Sequence, residues 1–329
     1  MLIFDNAYNS LKQKYIVPLS QQQIRYTALR KNNIKTILCN AEFNSVARGT
    51  RDEELVFSFT SERIMAAILG DIWLCYIRSE LQCDAAKQIY SLQPDFCPNW
   101  SIVSDYYGSF YDASTLLRIT MRGNIFIDNQ TMRILKNATK TILGVETKID
   151  SNCFYYIEKD VSAIDRYDLH LYPSKRQTHE TVWVETGKLI RDLKKESIPK
   201  SDEKTALDCI ISCLDSLGDT FPSQLRNAVN YQLPYGLNAI EKKILPANAF
   251  SISDKWLDPV LTSSIKKTCT ERLKIEVFKS YTLYIHMLVY NLISEYIDMR
   301  GGNGFGILSS INKHRIEKIA EPSPVYTYH

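Results

Sequence analysis

The sequence has no cysteine pair at the spacing of a zinc site. Its eight cysteines are scattered, and no two of them form a CxxC element. Cys209 and Cys213 stand one helical turn apart, but no histidine or second cysteine pair lies at metal-ligand spacing around them. We therefore predict no metal site and no cofactor, and interpret the cysteines as reduced core side chains of a cytoplasmic protein.

Common catalytic motifs are also missing. The chain contains no Walker A element, no G-x-S-x-G elbow and no HExxH. The glycine-rich run at 300–306 neither follows a predicted strand nor opens a dinucleotide-binding unit, so we interpret it as the end of a helix.

Strong charge bias and long apolar runs are absent as well. Forty Lys and Arg stand against 37 Asp and Glu, and the resulting net charge of +3 is too small to predict a nucleic-acid partner by itself. The most apolar late stretch, 281–293, is shorter than the roughly 20 residues that span a bilayer. The first residues carry Asp5 and Lys12 and no cleavage pattern, so we expect no secretory signal and no membrane partner.

A helical repeat of apolar residues runs from Trp100 to Gly123. The apolar positions follow each other at steps of three and four, which places them along one side of an α-helix. They are Trp100, Val103, Tyr107, Phe110, Leu117 and Met121, and the small polar residue Ser114 occupies one further position of the same series. A face this wide and aromatic predicts a core helix packed against several others, with Gly123 as its C-cap.

The remaining patterns predict a mainly α protein. We expect a helical domain over 58–300 and a tail over 301–329. A small mixed N-terminal extension covers 1–57, with β-prone runs at 15–19, 36–39 and 55–59. A loop-rich insertion with a hairpin covers 124–178, where short β-branched and aromatic runs alternate with Asn, Asp and Gly. A further helix is predicted from Ser61 through about Gln82, and 84–92 continues it or starts a new one. Other helices are predicted from His179 onward, over 206–218, from Pro222 and over 266–299.

One compact set of polar residues lies in the LRNAVNY segment. In a helix, Arg226 and Asn230 lie one turn apart, and Asn227 and Tyr231 form a neighbouring pair. A guanidinium beside two carboxamides and a phenol suits a phosphate oxyanion. The same residues are common on helix surfaces, so a solvated or capping cluster is the alternative.

Three features together resemble the HEPN superfamily of helical ribonuclease and toxin domains. They are the YYGSFYDASTLL run in the central helix, His179 at the start of a helix, and the later RN-x-x-x-Y element. Members typically show a YYA-x-F-x-AA-x-x-LL helix and a downstream Arg followed four to six residues later by His. The resemblance covers roughly 60–300 and implies a HEPN-like helical bundle.

The resemblance also implies an activity. Active members cut RNA without metal in a cleft between two protomers, so Arg226 is expected to neutralise the scissile phosphate and Asn227 to orient groups around it. At the position of the family's His this sequence has Tyr231, which is expected to act as a proton donor or positioning group. A phenol with a pKa of about 10 is a poor base compared with an imidazole at about 6.5, so slow cleavage or none is expected from Tyr231 alone.

A substitute base and further phosphate contacts have to come from other residues. His179 and His170 are the candidate bases, with a local structural role as the alternative for each. Asn230 and the basic pair Lys242 and Lys243 are candidate RNA contacts, although such pairs often only lie at solvated helix ends.

Two functions remain open. The first is a metal-independent endoribonuclease of a prokaryotic defence or toxin–antitoxin system that cuts RNA by 2′-hydroxyl attack. The second is a non-catalytic helical module that binds RNA or a partner protein in a defence complex. In both cases we expect a homodimer or a larger complex with a defence or antitoxin partner.

Overall fold

The computed structural model describes residues 4–22, 32–51, 53–92, 98–160, 162–163, 165–231 and 271–301. Most of these residues are helical, and a five-stranded antiparallel sheet accompanies the helices, which confirms a mainly α class. In chain order the helices are α1 (Asn6–Leu11), a π-helical segment (Lys12–Ile16), α2 (Val17–Ser20), α3 (Ile34–Cys39), α4 (Ser61–Leu92), α5 (Pro98–Ile119), α6 (Asn129–Leu143), α7 (Thr178–Glu196), α8 (Asp202–Leu217), α9 (Phe221–Tyr231) and α10 (Glu271–Met299).

Helix α5 lies at the centre of the helical part. It packs lengthwise on α4 and also contacts α7, α9 and α10. Val103, Phe110 and Leu117 are buried, as the repeat predicts, because each turn of α5 faces another helix. The predicted helix that begins at Ser61 is confirmed, and 84–92 continues it without a break to Leu92. The helix predicted from His179 is confirmed with its start at Thr178.

Both ends of the predicted central helix differ from the prediction. Trp100 is 62% exposed, because it lies in the first turn of α5 beyond the core. At the other end the helix stops at Ile119, and Met121 takes a φ of 60° that redirects the chain. Gly123 is therefore not a C-cap. It lies in a strand opposite Tyr155, and a Cβ there would lie 2.9 Å from the Tyr155 hydroxyl.

The sheet joins segments that are far apart in the chain. Its strands are β1 (Ser45–Arg48), β2 (Leu55–Thr60), β3 (Arg122–Phe126), β4 (Asn152–Lys159) and β5 (Arg166–Pro173), in the order β1-β2-β5-β4-β3. Strand pairs β1–β2 and β4–β5 come from the predicted N-terminal extension and insertion, and Phe57 of β2 stands opposite Leu169 of β5. The predicted hairpin is confirmed as β4–β5.

Several β-prone runs are helical in the structure. The runs at 15–19 and 36–39 lie in the π-helical segment with α2 and in α3, so their prediction as strands is wrong. Asn33 caps α3, because its side chain accepts a hydrogen bond from the Thr36 N–H at 2.7 Å. Within the insertion, Asp128 caps α6 in the same way, and Gly144 ends that helix at a φ of 70°. Local caps therefore outweigh β-branched composition.

In the described part of the chain, no helix has both the length and the apolar character that crossing a membrane requires. The predicted tail over 301–329 and the stretch 232–270 lie almost entirely outside the described residues.

Candidate functional site

Arg226 and His179 lie against the same buried tyrosine. Tyr106 of α5 is 1% exposed, and its hydroxyl oxygen lies 2.9 Å from Nδ1 of His179 at the start of α7. The Arg226 guanidinium of α9 lies over the Tyr106 ring, 5.3 Å from its centroid, and 5.9 Å from the centroid of the neighbouring Tyr107. His179, Arg226 and Tyr107 are all half-buried, so each reaches the surface in part. Three helices thus bring a cation and an imidazole together.

The packing of α5 against α7 holds the imidazole in place. The His179 ring stacks on Tyr106 at 5.8 Å between centroids and lies 4.3 Å from the ring of Phe110. Aromatic neighbours on two sides restrict the rotation of the His179 side chain. Its position is therefore set by the core and not by a surface loop.

The hydrogen bonds of the Tyr106 hydroxyl accommodate either tautomer of His179. The Trp183 indole N–H can only donate, and it donates to Tyr106 at 3.3 Å. The Ser223 hydroxyl oxygen lies 3.3 Å away on another side. When Nδ1 of His179 carries the proton it donates to Tyr106, which then donates to Ser223; when Nε2 carries it, both directions reverse. His179 can therefore present Nε2 as an acceptor or as a donor without leaving a buried hydroxyl unpaired.

The surrounding residues leave part of the hydrogen-bonding capacity of Arg226 unused. The charge of its guanidinium interacts with the faces of Tyr106 and Tyr107, and its Nε is buried with no hydrogen-bond partner among the described residues. A guanidinium carries five N–H donors in a planar fork that matches the oxygens of a phosphate. The structure thus holds a cation beside His179 with donors left for an anionic ligand.

The electrostatic environment keeps His179 neutral. Burial lowers its pKa below the ordinary value, and the positive charge of Arg226 lowers it further. Burial raises the pKa of Tyr106, which keeps that hydroxyl protonated even though Ser223, Trp183 and Arg226 favour the opposite direction. At pH 7 the site therefore contains a neutral imidazole, which can accept a proton, beside a permanent positive charge.

We expect an NMR titration of the His179 ring to give a midpoint below the value of about 6.5 for an unperturbed histidine. Arg226→Gln should raise that midpoint, because it removes one of the two effects that lower the pKa and leaves burial unchanged. Lys188→Gln, which removes an exposed cation of the same helix, serves as the control and should leave the midpoint unchanged. A wild-type midpoint above 6.5, or one insensitive to Arg226→Gln, would contradict this electrostatic description.

The other predicted residues of α9 lie in solvent. Asn227 and Asn230 are exposed, and Tyr231 is 75% exposed at the end of the helix. The structure therefore brings Arg226 and His179 onto the same tyrosine, whereas Tyr231 lies exposed at the end of α9. Lys242 and Lys243 lie outside the described residues.

His170, the second candidate base, is held by carboxylates. Its Nδ1 lies 3.1 Å from Glu54 Oε1, its Nε2 lies 3.0 Å from Glu158 Oε1, and its ring stacks on Tyr156 at 4.3 Å. Burial by itself raises the pKa of Glu54, but hydrogen bonds from the Arg51 N–H, His170 and Tyr156 bring it below the ordinary value. Both ring nitrogens of His170 thus face acidic partners, which favours a structural role.

The sequence patterns did not identify the residues that join this site. Tyr106, Trp183 and Ser223 lie on three different helices, and all three are buried. A buried tyrosine hydroxyl and a buried tryptophan N–H each need a hydrogen-bond partner, and this need is the only sequence signal that polar residues lie near them. It could not show which of the distant polar residues meets them.

Comparison of this chain with protein-family models, curated protein sequences and solved structures finds no match in any of the three. The arrangement of the side chains is therefore the basis for inferring a function.

Proposed function

We propose that this protein is a metal-independent endoribonuclease in which Arg226 binds the scissile phosphate and His179 is the general base. The observation that carries this proposal is that His179 and Arg226 both contact one buried residue, Tyr106. Cleavage by a neighbouring 2′-hydroxyl needs a proton acceptor and a positive charge at the phosphate, and this pair offers both. The resemblance to HEPN domains supports the same activity.

The reaction follows from the protonation state of His179. The ribose 2′-hydroxyl gives its proton to Nε2 of His179, and the 2′ oxygen attacks the adjacent phosphorus. The bond from phosphorus to the 5′ oxygen breaks, and that oxygen takes a proton from water. The products are a 2′,3′-cyclic phosphate and a 5′-hydroxyl.

A bound phosphate changes the electrostatics in favour of this reaction. In the free protein, burial and Arg226 both disfavour the protonated imidazole. A phosphate between the two side chains neutralises the charge of Arg226 and attracts the imidazolium, so it raises the pKa of His179 as the proton arrives. Arg226 in turn stabilises the charge that develops on the phosphate oxygens.

The exposed end of α9 provides contacts for the rest of an RNA strand. Asn227 and Asn230 offer carboxamide groups to the backbone, and the ring of Tyr231 can stack on a base. We assign Tyr231 to binding and not to proton transfer, because its side chain is 75% exposed and no hydrogen bond joins it to His179 or Arg226 among the described residues. A second protomer beside this surface would complete a cleft of the kind that HEPN domains form.

A non-catalytic role as a helical module that binds RNA or a partner protein is the second candidate. One observation favours it: Tyr231, at the position of the family histidine, is 75% exposed and belongs to no hydrogen-bonded group with Arg226. An exposed aromatic ring beside two carboxamides suits binding without cleavage. In either role, a prokaryotic defence or toxin–antitoxin system is the proposed setting.

One assay separates the two functions. Purified protein is incubated with a mixed RNA pool in EDTA, beside the variants Arg226→Ala and Arg133→Ala. Arg133 lies exposed on α6 and serves as the matched control for the loss of one positive charge. The nuclease proposal expects cleavage by the wild type and by Arg133→Ala and none by Arg226→Ala. RNA binding without cleavage by the wild type would support the binding module, and neither cleavage nor binding would contradict both RNA functions.

A further inference from the structure

A second group of polar residues lies where α4, α5 and α10 meet. Cys83 of α4, Asp112 of α5 and His286 of α10 each offer one ligand atom, and these atoms all lie within 4.8 Å of one another. The side chain of Asp112 is 1% exposed and that of His286 is 17% exposed. A thiol, an imidazole and a carboxylate from three helices therefore converge below the surface.

Asp112 has one carboxylate oxygen for which the described residues provide no hydrogen-bond partner. Its Oδ2 lies 2.6 Å from Nδ1 of His286, but its Oδ1 is buried with no hydrogen-bond partner among the described residues. Ser79, one turn before Cys83 on α4, also has a buried hydroxyl without a partner in the described part of the chain. A buried carboxylate oxygen without a partner is costly to the fold and is free to accept a ligand, which the other members of the group could share.

The backbone makes room for the thiol. A Cβ at Gly108 of α5 would lie 2.7 Å from Cys83 Sγ and 3.4 Å from the Cys83 backbone nitrogen. Glycine at this position therefore lets the Cys83 side chain enter the interface between α4 and α5, toward the helix that carries Asp112.

We propose that Cys83, Asp112 and His286 form a binding site for a divalent metal of the zinc class. Thiolate, imidazole and carboxylate are the three ligand types that Zn²⁺ takes from proteins, and three protein ligands leave a fourth position for water. Hard cations such as Mg²⁺ and Ca²⁺ prefer sites made only of oxygen, so the sulfur and nitrogen donors select against them.

Without a metal ion, His286 and Asp112 are joined directly by a hydrogen bond. A metal ion would replace the proton between these two side chains. To reach zinc bonds of about 2.0–2.2 Å, His286 Nδ1 and Asp112 Oδ2 need to move apart by less than about 1 Å from their present distance. Binding also removes the proton of the Cys83 thiol, so affinity rises with pH.

This site is separate from the proposed nuclease site. Asp112 contacts α10, whereas Tyr106, six residues earlier on α5, bonds to residues of α7 and α9. A metal here ties α4, α5 and α10 together and takes no part in cleavage. The inference therefore does not rest on the proposed function, and either one can fail without the other.

The test is a titration of the metal-free, full-length protein with Co²⁺, a spectroscopic substitute for Zn²⁺. We expect one Co²⁺ per chain, visible absorption bands of a four-coordinate ion, and a near-ultraviolet band from the bond between thiolate and cobalt, all removed when Zn²⁺ is added. Cys83→Ser should remove the near-ultraviolet band, and His286→Gln should weaken binding at least tenfold. Cys209→Ser, which alters a buried thiol of α8, is the matched control and should leave the spectrum unchanged.

Two results would overturn the proposal, and both come from the wild type or from a folded variant. One is the absence of stoichiometric Co²⁺ binding, or binding without the thiolate band, in wild-type protein. The other is an unchanged thiolate band in Cys83→Ser whose far-ultraviolet circular dichroism matches that of the wild type, because another cysteine would then be the ligand.

Discussion

His179→Ala is expected to lower the rate of RNA cleavage by about 10²- to 10⁴-fold, the usual contribution of a general base. The substitution removes the group that takes the 2′-hydroxyl proton and leaves Arg226 over the ring of Tyr106. The Tyr106 hydroxyl keeps Trp183 and Ser223 as partners, so the fold should survive. RNA affinity should change little, because Arg226 carries the phosphate contact. Single-turnover cleavage rates and RNA affinities, measured on the same preparations, test whether the rate falls while the affinity stays the same.

His170→Gln is the matched control for the loss of an imidazole. His170 lies between Glu54 and Glu158 on the sheet, away from α9, so its replacement should leave the cleavage rate within about threefold of the wild type. If His170→Gln removes cleavage and His179→Ala does not, the general base has been assigned to the wrong histidine. If both retain full activity, neither histidine is the base.

Glu203→Ala is expected to lower the free energy of unfolding by about 3–5 kcal/mol, because it leaves one buried and two partly buried N–H groups without a charged partner. Glu203 of α8 is 1% exposed, and its carboxylate accepts hydrogen bonds from the backbone N–H groups of Asp5, Ala7 and Tyr8, each at 3.0–3.1 Å. These are the free N–H groups at the start of α1. Glu203 thus caps a helix that lies almost 200 residues earlier in the chain.

Chemical denaturation of the wild type, Glu203→Ala and Asp202→Ala measures this contribution. Asp202 is the neighbouring residue in the first turn of α8 and is exposed, so Asp202→Ala should change the free energy of unfolding by less than about 1 kcal/mol. Equal losses in the two variants would show that the acidic residues act only on α8 and that the cap of α1 contributes little.

The sequence predicted the long helices because their own residues carry the signal. The middle of α5 and the helix that begins at Ser61 depend on local periodicity, and both are confirmed. The runs at 15–19 and 36–39 were predicted as strands and are helical. A strand needs a partner strand, and local composition cannot show whether one is available. Gly123 failed as a helix cap for the same reason, since β4 pairs with it from more than 25 residues away.

The candidate site could be predicted only in part. Residue types suited to the chemistry identified Arg226 and His179, but the residue that joins them, Tyr106, has the periodicity of an ordinary core position. Tyr106 and Ser223 are 117 residues apart, and no local pattern relates them.

The same limit explains why the sequence predicted no metal ligands. Ligand spacing rules detect residues a few positions apart, whereas Asp112 and His286 are 174 residues apart. His286 lies within the apolar helix α10, where a single histidine gives no spacing signal. Its partner Asp112 lies on another helix, and only the packing of α5 on α10 brings the two side chains together.

The most direct test of the proposed function compares two oligonucleotides of one sequence, incubated with wild-type protein in EDTA. One is RNA, and the other carries hydrogen in place of every 2′-hydroxyl. Because the 2′ oxygen is the attacking group, we predict cleavage of the RNA alone, with a 2′,3′-cyclic phosphate and a 5′-hydroxyl at the cut. Cleavage of both strands, or of neither, would contradict catalysis by His179 and Arg226 through 2′-hydroxyl attack.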